Sequence, residues 1–247
     1  MKLDQFRAWL RLFTVQGSWN YDRMVGLGLA FSMEPLLRTL SGGKENPRYR
    51  EGLARAAQFF NAHPYFVGLA AGSLARAEHL GSSREEVDRL RTALVGPLGS
   101  VGDRLFWIGW LPLCSALGIV GAALVSPVAG AVLFLALYNV LHLSIRYWTL
   151  AVGWRMGPGV AAALGSSVFR RVPGIVAAAA AGAAGFVLPV AAAWLTGDLP
   201  QGSRFGTALV LAVCVIVGRW LLPSAGATRV GMAIVAAAAV VGLLWRW

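Results

Sequence analysis

Hydrophobic and polar positions follow two different patterns in the two parts of this chain. In residues 1–103, apolar side chains recur every three or four positions among charged ones, for example at Phe6, Trp9 and Phe13. This spacing is typical of amphipathic helices that lie along an interface. In residues 104–247, charges become sparse and long apolar runs follow one another. The pattern predicts an interfacial arm with re-entrant core helices and motif loops over 1–103, and a transmembrane helical region over 104–247.

Five apolar runs in the second region are candidate membrane spans. A helix needs about 20 apolar residues to cross the hydrocarbon core of a bilayer. The run Ile175–Leu195 reaches this length by itself. The other runs reach it with flanking residues or a tilt: Ile108–Val125, Val128–Leu143, Thr207–Leu222 and Val230–Leu244. We therefore predict an all-α integral membrane protein with about four to five transmembrane helices in this region.

The distribution of charge favours a membrane rather than nucleic acid as the partner of this chain. The formal net charge is +11, with 13 basic and 10 acidic residues in 1–103. Residues 104–247 hold nine basic residues and one acidic residue, which are scattered between apolar runs. Isolated arginines at helix ends fit the positive-inside rule, whereas nucleic-acid binding needs a basic cluster with a reading motif. We expect contact with a lipid bilayer, a cytoplasmic N-terminus and no nucleic acid.

Residues that commonly carry catalysis or bind metals are sparse. Cys114 and Cys214 lie in separate apolar runs, and both are best interpreted as small buried hydrophobic side chains. The sequence contains no Cys or His pair at metal-ligand spacing and no nucleotide-binding motif. Residues 1–12 lack the apolar core and the cleavage site of a signal peptide. We therefore predict no catalytic residue, no metal and no cofactor.

Three local motifs predict helix ends, turns and contacts. Ser83 and Glu86 have the spacing of a capping box, which satisfies free N–H groups at the start of a helix. The segment Ser41–Pro47 is polar and rich in glycine, so it predicts a loop. Gly153 and Gly157 have the spacing of a close contact between helices, although one such pair is weak evidence in a chain rich in glycine and alanine.

The segment Gly96–Asp103 is the most unusual stretch of the sequence. It contains three glycines, a proline and one carboxylate within eight residues, between an amphipathic segment and a long apolar run. Glycine reaches backbone angles closed to other residues, and proline interrupts helices. We predict a tight loop at the membrane edge, where Asp103 could handle a polar substrate.

Four motifs occur in a fixed order along the first two thirds of the chain: Gln16–Met24, Gln58–Tyr65, Gly96–Asp103 with the Phe106-Trp107 pair behind it, and Leu133–Gly157. In order, spacing and content this series resembles the IID subunit of the mannose/fructose/sorbose family of the bacterial phosphotransferase system. The resemblance covers about residues 5–160. It is specific because the motifs agree together, whereas each motif alone would be weak evidence.

The resemblance implies a permease subunit rather than an enzyme. In this family IIC and IID together form the membrane carrier, and cytoplasmic IIA and IIB phosphocarrier subunits phosphorylate the hexose during uptake. The expected assembly is therefore a hetero-oligomer in the bacterial inner (cytoplasmic) membrane, with this chain as a multi-pass component. The resemblance leaves the particular hexose open.

Five residues of these motifs are candidates for binding the sugar: Asn20, Asn61, His63, Gly102 and Asp103. A carboxylate accepts charge-assisted hydrogen bonds from hydroxyl groups, which suits Asp103. An amide both donates and accepts, which suits Asn61. A ring nitrogen of His63 could bond a hydroxyl, and Gly102 allows the backbone to approach a ligand closely.

Each candidate also has a structural alternative. Asp103 could pair with Arg104 or cap a following helix, and Asn61 could form a turn before a proline. For His63 a structural hydrogen bond is the favoured interpretation, and for Asn20 a helix start or a contact between subunits.

Other polar residues are expected to be structural. Glu78 is predicted on a solvated face, although a carboxylate inside a membrane would be functional. We interpret His79 and His142 as interfacial or hydrogen-bonded core residues. Asp22 and Arg23 are expected to form an ion pair.

Two further functions compete with that of a permease subunit. A membrane scaffold or regulator could have been built on a IID framework, although it would need neither Asn61 nor Asp103. A membrane enzyme is disfavoured because the sequence offers no nucleophile and base pair and no metal cluster. A permease subunit with alternating access is therefore the favoured function.

Overall fold

The computed structural model of the chain describes residues 3–165 and 167–195. The chain divides into two compact units, Met1–Phe186 and Val187–Trp247, and almost all of the second unit lies outside the described residues. The predicted runs Thr207–Leu222 and Val230–Leu244 and the residue Cys214 also lie outside them. All the candidate sugar-binding residues belong to the first unit.

The described residues are helical, apart from turns and two isolated β-bridges. The predicted all-α class is therefore confirmed for this part of the chain. The helices are α1 Leu3–Arg11, α2 Gly26–Leu37, α3 Pro47–Ala56, α4 Val67–His79, α5 Arg84–Asp103, α6 Leu111–Leu124, α7 Pro127–Met156, α8 Val160–Leu164 and α9 Ser167–Leu195. A π-helical segment, Arg104–Trp110, joins α5 to α6, and short 3₁₀ turns are Leu12–Thr14, Gly43–Glu45 and Gly157–Gly159.

Two stretches within the described residues are long and apolar enough to cross a membrane. They are Arg84–Leu124 and Pro127–Leu164, by length and composition. The break between these two stretches falls between the predicted runs Ile108–Val125 and Val128–Leu143. At this break the Ser126 hydroxyl accepts a hydrogen bond from the amide of Ala129 and caps α7. The predicted run Ile175–Leu195 lies within α9.

Helix α4 forms the centre of the core. Nearly all of its residues are buried, and it packs against α2, α3, α5 and α7. Its crossing with α7 is close because each helix contributes glycine. A Cβ atom built on Gly72 would lie 2.5 Å from the amide nitrogen of Trp154, and one on Gly153 would lie 2.4 Å from the carbonyl oxygen of Leu69. The close helix contact predicted for Gly153 is confirmed, whereas Gly157 ends α7 with a φ of +52°.

The predicted loop at Gly96–Asp103 is wrong. These residues form the last two turns of α5, which continues directly into the π-helical segment Arg104–Trp110. Proline inside a helix costs about 3 kcal/mol. Burial of Leu94 and Leu98, both fully inaccessible, favours the helix at this point. Tertiary packing therefore overrides the local preference for a turn.

The other local motifs are found where the sequence predicts them. The Ser83 hydroxyl accepts from the Glu86 amide at 3.2 Å, and a Glu86 carboxylate oxygen accepts from the Ser83 amide at 2.8 Å. The Ser41–Pro47 segment is a turn, in which Asn46 accepts from the Arg48 amide and caps α3. The capping box and the polar loop are thus confirmed.

A hydrogen-bonded carboxylate joins the first three helices. Glu34 of α2 accepts from Arg11 of α1 at 2.8 Å and from the hydroxyl of Tyr49 of α3 at 3.0 Å, and it also pairs with Arg38. Burial alone would raise the pKa of Glu34, but the hydrogen bonds from Arg38, Tyr49 and Arg11 outweigh it and hold this pKa below 4.5.

A second carboxylate, that of Glu78, lies in the core. It is only 2% exposed, so its predicted place on a solvated face is wrong. Its oxygen atoms lie 2.9 Å from a nitrogen of Arg55 and 3.5 Å from a nitrogen of Arg48. Both arginines belong to α3. Because they pair with the carboxylate of Glu78, its charge can be buried in the core.

The Glu34 network generates a prediction on stability. Glu34→Gln removes a charge that three neighbours stabilise, and we expect it to cost about 1–3 kcal/mol near pH 7. A carboxylate with a lowered pKa stabilises the fold above its unfolded pKa, and this stabilisation is lost as the pH falls through the folded pKa. The thermal midpoint of Glu34→Gln should therefore be below that of the unchanged protein at pH 7, and the two should converge below pH 4.5.

The matched control is Glu45→Gln, which makes the same change at a side chain that is 88% exposed. The Glu45 carboxylate lies 3.9 Å from a terminal nitrogen of Arg50, and an exposed ion pair of this kind contributes little to stability. We expect no shift for this variant. Equal midpoints for Glu34→Gln and the unchanged protein at pH 7 would contradict the proposed role of the network.

The α4–α7 crossing generates a second prediction. Gly72→Ala places a methyl group against the backbone of α7, so we expect the thermal midpoint to fall and the yield of folded protein to drop. Gly96→Ala is the control, since no atom lies within 4 Å of the added Cβ and alanine favours a helix by about 1 kcal/mol. A Gly72→Ala protein as stable as Gly96→Ala would show that the crossing is looser than described.

Candidate functional site

The segment Gln58–Phe66, between α3 and α4, is the centre of the candidate site. It starts with a short backbone pairing to the turn that precedes α2. The amide of Phe60 donates to the carbonyl of Arg23 at 3.2 Å, and the amide of Val25 donates to the carbonyl of Phe60 at 3.0 Å. This pairing places the turn at Asn20–Met24 beside the residues that lead into Asn61.

Asn20 builds that turn. Its side-chain oxygen accepts from the amide of Arg23 at 2.9 Å, and its nitrogen donates to the carbonyl of Ser18 at 3.1 Å. Both polar groups of the amide therefore act locally, as expected for a residue that shapes a turn. The ion pair predicted between Asp22 and Arg23 is not among those formed by the described residues.

The same segment is attached to α5 at three places. Arg91 donates to the carbonyl of Phe59, and the amide of His63 donates to the carbonyl of Leu98 at 3.2 Å. A Cβ atom on Gly102 would lie 2.2 Å from the Cβ of His63, so only glycine fits at this contact. The third glycine of the Gly96–Asp103 motif therefore serves close packing and not a bend.

The contact between His63 and Gly102 brings two predicted site residues into one region. Asn61 precedes His63 by two positions, and Asp103 directly follows Gly102. Both side chains are exposed. The structure thus joins two motifs that are about forty residues apart in sequence, with an amide on one side of the contact and a carboxylate on the other.

Neither structural alternative for Asp103 is observed. Its carboxylate forms no ion pair with Arg104 among the contacts of residues 3–165, and it caps no helix because the chain continues from α5 into the π-helical segment. The exposed carboxylate therefore keeps its capacity to accept hydrogen bonds.

His63 is buried, with only 1% of its surface exposed. Its ring stacks on Phe106 with a 4.8 Å separation of centroids, and its Nδ1 accepts from the amide of Tyr65 at 3.2 Å. Burial lowers the pKa of His63, and the positive charge of Arg146 lowers it further, so the ring is neutral at pH 7. In this conformation His63 positions the segment, in agreement with the interpretation favoured from the sequence.

Arg146 of α7 holds the opposite side of the segment. It is 3% exposed, donates to His142 Nε2 at 2.8 Å and to the carbonyl of Leu12, and lies over the ring of Tyr65 at 4.8 Å. Arg146 is not among the site residues predicted from the sequence. The sequence does contain an indication of its importance, because a single arginine inside an apolar run is costly unless its guanidinium is bonded.

Tyr65 completes this connection to α7. Its hydroxyl lies 2.6 Å from that of Tyr138, its ring stacks on His142 at 4.4 Å, and its carbonyl accepts from Thr149 at 3.2 Å. His79 Nε2 lies 3.0 Å from the carbonyl oxygen of Leu36, to which it can only donate, and 3.2 Å from the hydroxyl of Thr39. Both histidines are half-buried and hydrogen-bonded, which agrees with their interpretation as interfacial or hydrogen-bonded core residues.

The remaining chemistry of the described residues is sparse. Cys114 is buried, as predicted from its apolar surroundings. Within residues 3–165 and 167–195, no group of three His, Cys, Asp or Glu side chains could hold a metal ion.

Comparison with known proteins places this geometry in a family. The family model described as the PTS system mannose/fructose/sorbose family IID component matches residues 1–190. The mannose-specific EIID component of Escherichia coli (strain K12) is 32% identical over 170 residues, which cover 67% of this chain and 59% of that protein. The fructose permease IID component of Bacillus subtilis (strain 168) is 30% identical over 161 residues, covering 63% and 58%.

A sorbose-specific EIID component of Klebsiella pneumoniae is 29% identical over 174 residues, covering 68% of this chain and 62% of that protein. The chain therefore spans about three fifths of the length of these relatives.

Two solved structures are similar. One, described as a membrane protein, has a TM-score of 0.68 at 28% identity and covers 76% of this chain and 70% of its own. The other, described as the mannose transporter ManYZ in complex with microcin E492 (MceA), has a TM-score of 0.59 at 28% identity, with 76% and 69% covered. With the match over residues 1–190, these similarities show that the chain belongs to the IID components of the mannose/fructose/sorbose family of the phosphotransferase system.

Proposed function

We propose that this chain is a permease subunit that pairs with a IIC membrane subunit and translocates a hexose, which IIA and IIB phosphocarrier subunits phosphorylate. Family membership over residues 1–190 supports this role. The similarity to a structure described as a mannose transporter supports a hetero-oligomer. The phosphoryl-transfer residues then belong to the partner subunits, and this chain contributes part of the pathway.

The observation that carries the proposal is the His63–Gly102 contact, which lies two residues from Asn61 and one residue from Asp103. We take Asn61 and Asp103 as the candidate pair. An amide offers both a donor and an acceptor, and a carboxylate accepts strong hydrogen bonds from hydroxyl groups. A sugar presents many hydroxyl groups that both donate and accept. The two exposed side chains therefore have the chemistry to bind a hexose without a metal or a cofactor.

The other three candidate residues support this pair. Gly102 allows the approach of α5 to the segment, and Asn20 shapes the turn that pairs with Phe60. His63 holds the segment against Phe106, while its Nε2 is buried without a hydrogen-bond partner among the described residues. That unpaired group is available to a sugar hydroxyl if the segment moves during transport.

The end of α5 is suited to movement. No atom lies within 4 Å of a Cβ built on Gly96 or Gly99, and the helix continues as the π-helical segment Arg104–Trp110. Segments of π-helix often occur at functional sites. In the proposed mechanism of alternating access, this part of α5 and the Gln58–Phe66 segment shift together relative to the rest of the chain.

The proposed placement is multi-pass, in the bacterial inner membrane. Residues 1–103 form the interfacial arm with re-entrant helices, and residues 104–247 form about four to five transmembrane helices. The apolar stretches Arg84–Leu124, which runs across this boundary, and Pro127–Leu164 support membrane crossing by their length and composition.

The Asn61–Asp103 pair generates a prediction on transport. In cells that express the partner subunits, Asn61→Ala and Asp103→Asn should each reduce hexose uptake at least tenfold while leaving the membrane level of the chain unchanged. A tenfold loss corresponds to about 1.4 kcal/mol, which is near the top of the range for one neutral hydrogen bond and just below the range for a bond to a charged group. Uptake of radiolabelled mannose, fructose and sorbose would test this.

Two control variants change the same chemical groups elsewhere. Asn139→Ala removes an exposed amide that bonds only within α7, and Glu45→Gln neutralises an exposed carboxylate in the polar turn. We expect normal uptake for both. If Asn61→Ala and Asp103→Asn also transport normally in an intact assembly, the transport site lies elsewhere and a scaffold role becomes the better explanation.

The proposed partners generate a separate prediction. A tagged chain purified from its native membranes in a mild detergent should bring with it a IIC-type protein, identified by mass spectrometry. Recovery of IIA-type or IIB-type proteins after chemical cross-linking would further support the assembly. Recovery of the chain alone, or with unrelated proteins, would contradict a permease complex.

A further inference from the structure

A charged cleft separates α3 from the first turns of α5, beside the start of the Gln58–Phe66 segment. Its volume is about 400 Å³, and its charged lining residues are Glu51, Arg55, Arg84, Asp88 and Arg91. Small-molecule sites commonly have volumes of about 300–1,000 Å³. The cleft is therefore large enough for a small ligand, and it is not lined by Asn61 or Asp103.

Arg55 is the buried cation of the cleft. It is 8% exposed, and one of its terminal nitrogens bonds Glu78 at 2.9 Å. Its Nε is buried without a hydrogen-bond partner among the described residues, and the nearest carboxylate, that of Asp88, lies 4.0 Å away. Arg48 also lies 3.5 Å from Glu78, so Arg55 shares this carboxylate with a second arginine of α3.

Arg91 supplies the second cation. One terminal nitrogen donates to the carbonyl of Phe59, and its guanidinium lies 5.6 Å from the centre of the Phe60 ring. Its Nε is buried without a hydrogen-bond partner, and no carboxylate of the described residues forms an ion pair with it. Arg91 therefore lines the cleft as a cation without a carboxylate partner among the described residues, and an anion bound there would supply one.

The third cation, Arg84, lies at the exposed rim. Within the described part of the chain it forms an ion pair with Asp88 alone, at 3.9 Å, and its side chain is 76% exposed. Of the three side chains, Arg55 has an Nε without a hydrogen-bond acceptor and Arg91 has no acidic partner among the described residues. The exposed Arg84 side chain can turn towards the cleft. Planar guanidinium groups recognise phosphate oxygens through pairs of hydrogen bonds.

We propose that the cleft between α3 and α5 binds a phosphomonoester group, with Arg55, Arg84 and Arg91 as its donors. A dianion can accept hydrogen bonds from the terminal nitrogens of these guanidinium groups. Its charge offsets the net positive charge of the lining, in which three arginines stand against Glu51 and Asp88. The neutral part of the ligand fills the remaining volume beside Gln58 and Thr92.

Occupation of the cleft would also affect the sugar site. Arg91 donates to the carbonyl of Phe59, two residues before Asn61. A phosphate that accepts a hydrogen bond from the same guanidinium would compete with this bond and so affect the Gln58–Phe66 segment. The site therefore offers a route by which a phosphorylated compound can influence the segment that we propose to contact the sugar. This consequence rests on the proposed transport function, whereas phosphate binding itself does not.

The test uses the full chain in nanodiscs of phosphatidylcholine and isothermal titration with inorganic phosphate, glucose 6-phosphate and glucose at one ionic strength. We expect both phosphates to bind with a 1:1 stoichiometry. Arg91→Gln should weaken the binding of glucose 6-phosphate about tenfold or more, and Arg84→Gln should weaken it several-fold. Any binding of glucose itself should be unaffected by Arg84→Gln, because Arg84 has no bond to the Gln58–Phe66 segment among the described residues.

Two further variants make the result specific. Arg89→Gln removes an exposed charge from the same helix outside the cleft, and should leave the affinity unchanged. Asp88→Asn removes the negative charge nearest to Arg55 and Arg84, and should tighten phosphate binding, which a merely damaged fold would not do. Absence of phosphate binding, or equal weakening in Arg91→Gln and Arg89→Gln, would overturn the proposal.

Nanodiscs that contain phosphatidic acid distinguish the source of the phosphate. Weaker apparent binding of glucose 6-phosphate in these discs would identify a lipid headgroup as a competing occupant of the same site. Unchanged binding would identify a soluble phosphomonoester as the occupant. A failure of hexose uptake in the transport assay would leave these titrations unaffected, because they require no partner subunit.

Discussion

Close approach of backbones at glycine is the constraint on which the rest of this structure depends. At Gly72 and Gly153, α4 and α7 lie so close that one added carbon atom would overlap the opposite backbone. At Gly102, α5 approaches His63 in the same way. Without an aqueous hydrophobic effect between helices, packing of this kind is a principal source of association in a membrane. The two contacts hold the Gln58–Phe66 segment between α5 and α7.

Buried charges become possible within this packing because each has partners on another element. Glu34 and Glu78 are each bonded by arginines, and Arg146 is bonded by His142 and a backbone carbonyl. Breaking one such pair leaves an uncompensated charge, which costs more than the pair gains. The polar groups therefore specify which helices meet, while the apolar surfaces supply most of the burial.

Features that depend on neighbouring residues were predictable from the sequence, and features that depend on distant contacts were not. The Ser83 capping box and the amphipathic and apolar helices follow from local spacing. The Gly96–Asp103 stretch also looks locally like a loop, because its helix is stabilised by packing that the spacing does not reveal. Glu78 looks solvated for the same reason, since Arg55 comes from a different helix. The sequence indicates Asn61 and Asp103 separately, and only the His63–Gly102 contact brings their segments together.

Hydrogen exchange at the amide of His63 tests most directly whether the motif segment is held against α5. In the structure this amide donates to the carbonyl of Leu98, inside the contact that places Asn61 near Asp103. For the full chain in nanodiscs, we expect its exchange to be as slow as that of the buried amides of α4. Exchange as fast as in an unstructured peptide of the same sequence would mean that the segment is not docked, and the candidate site would lose its structural basis.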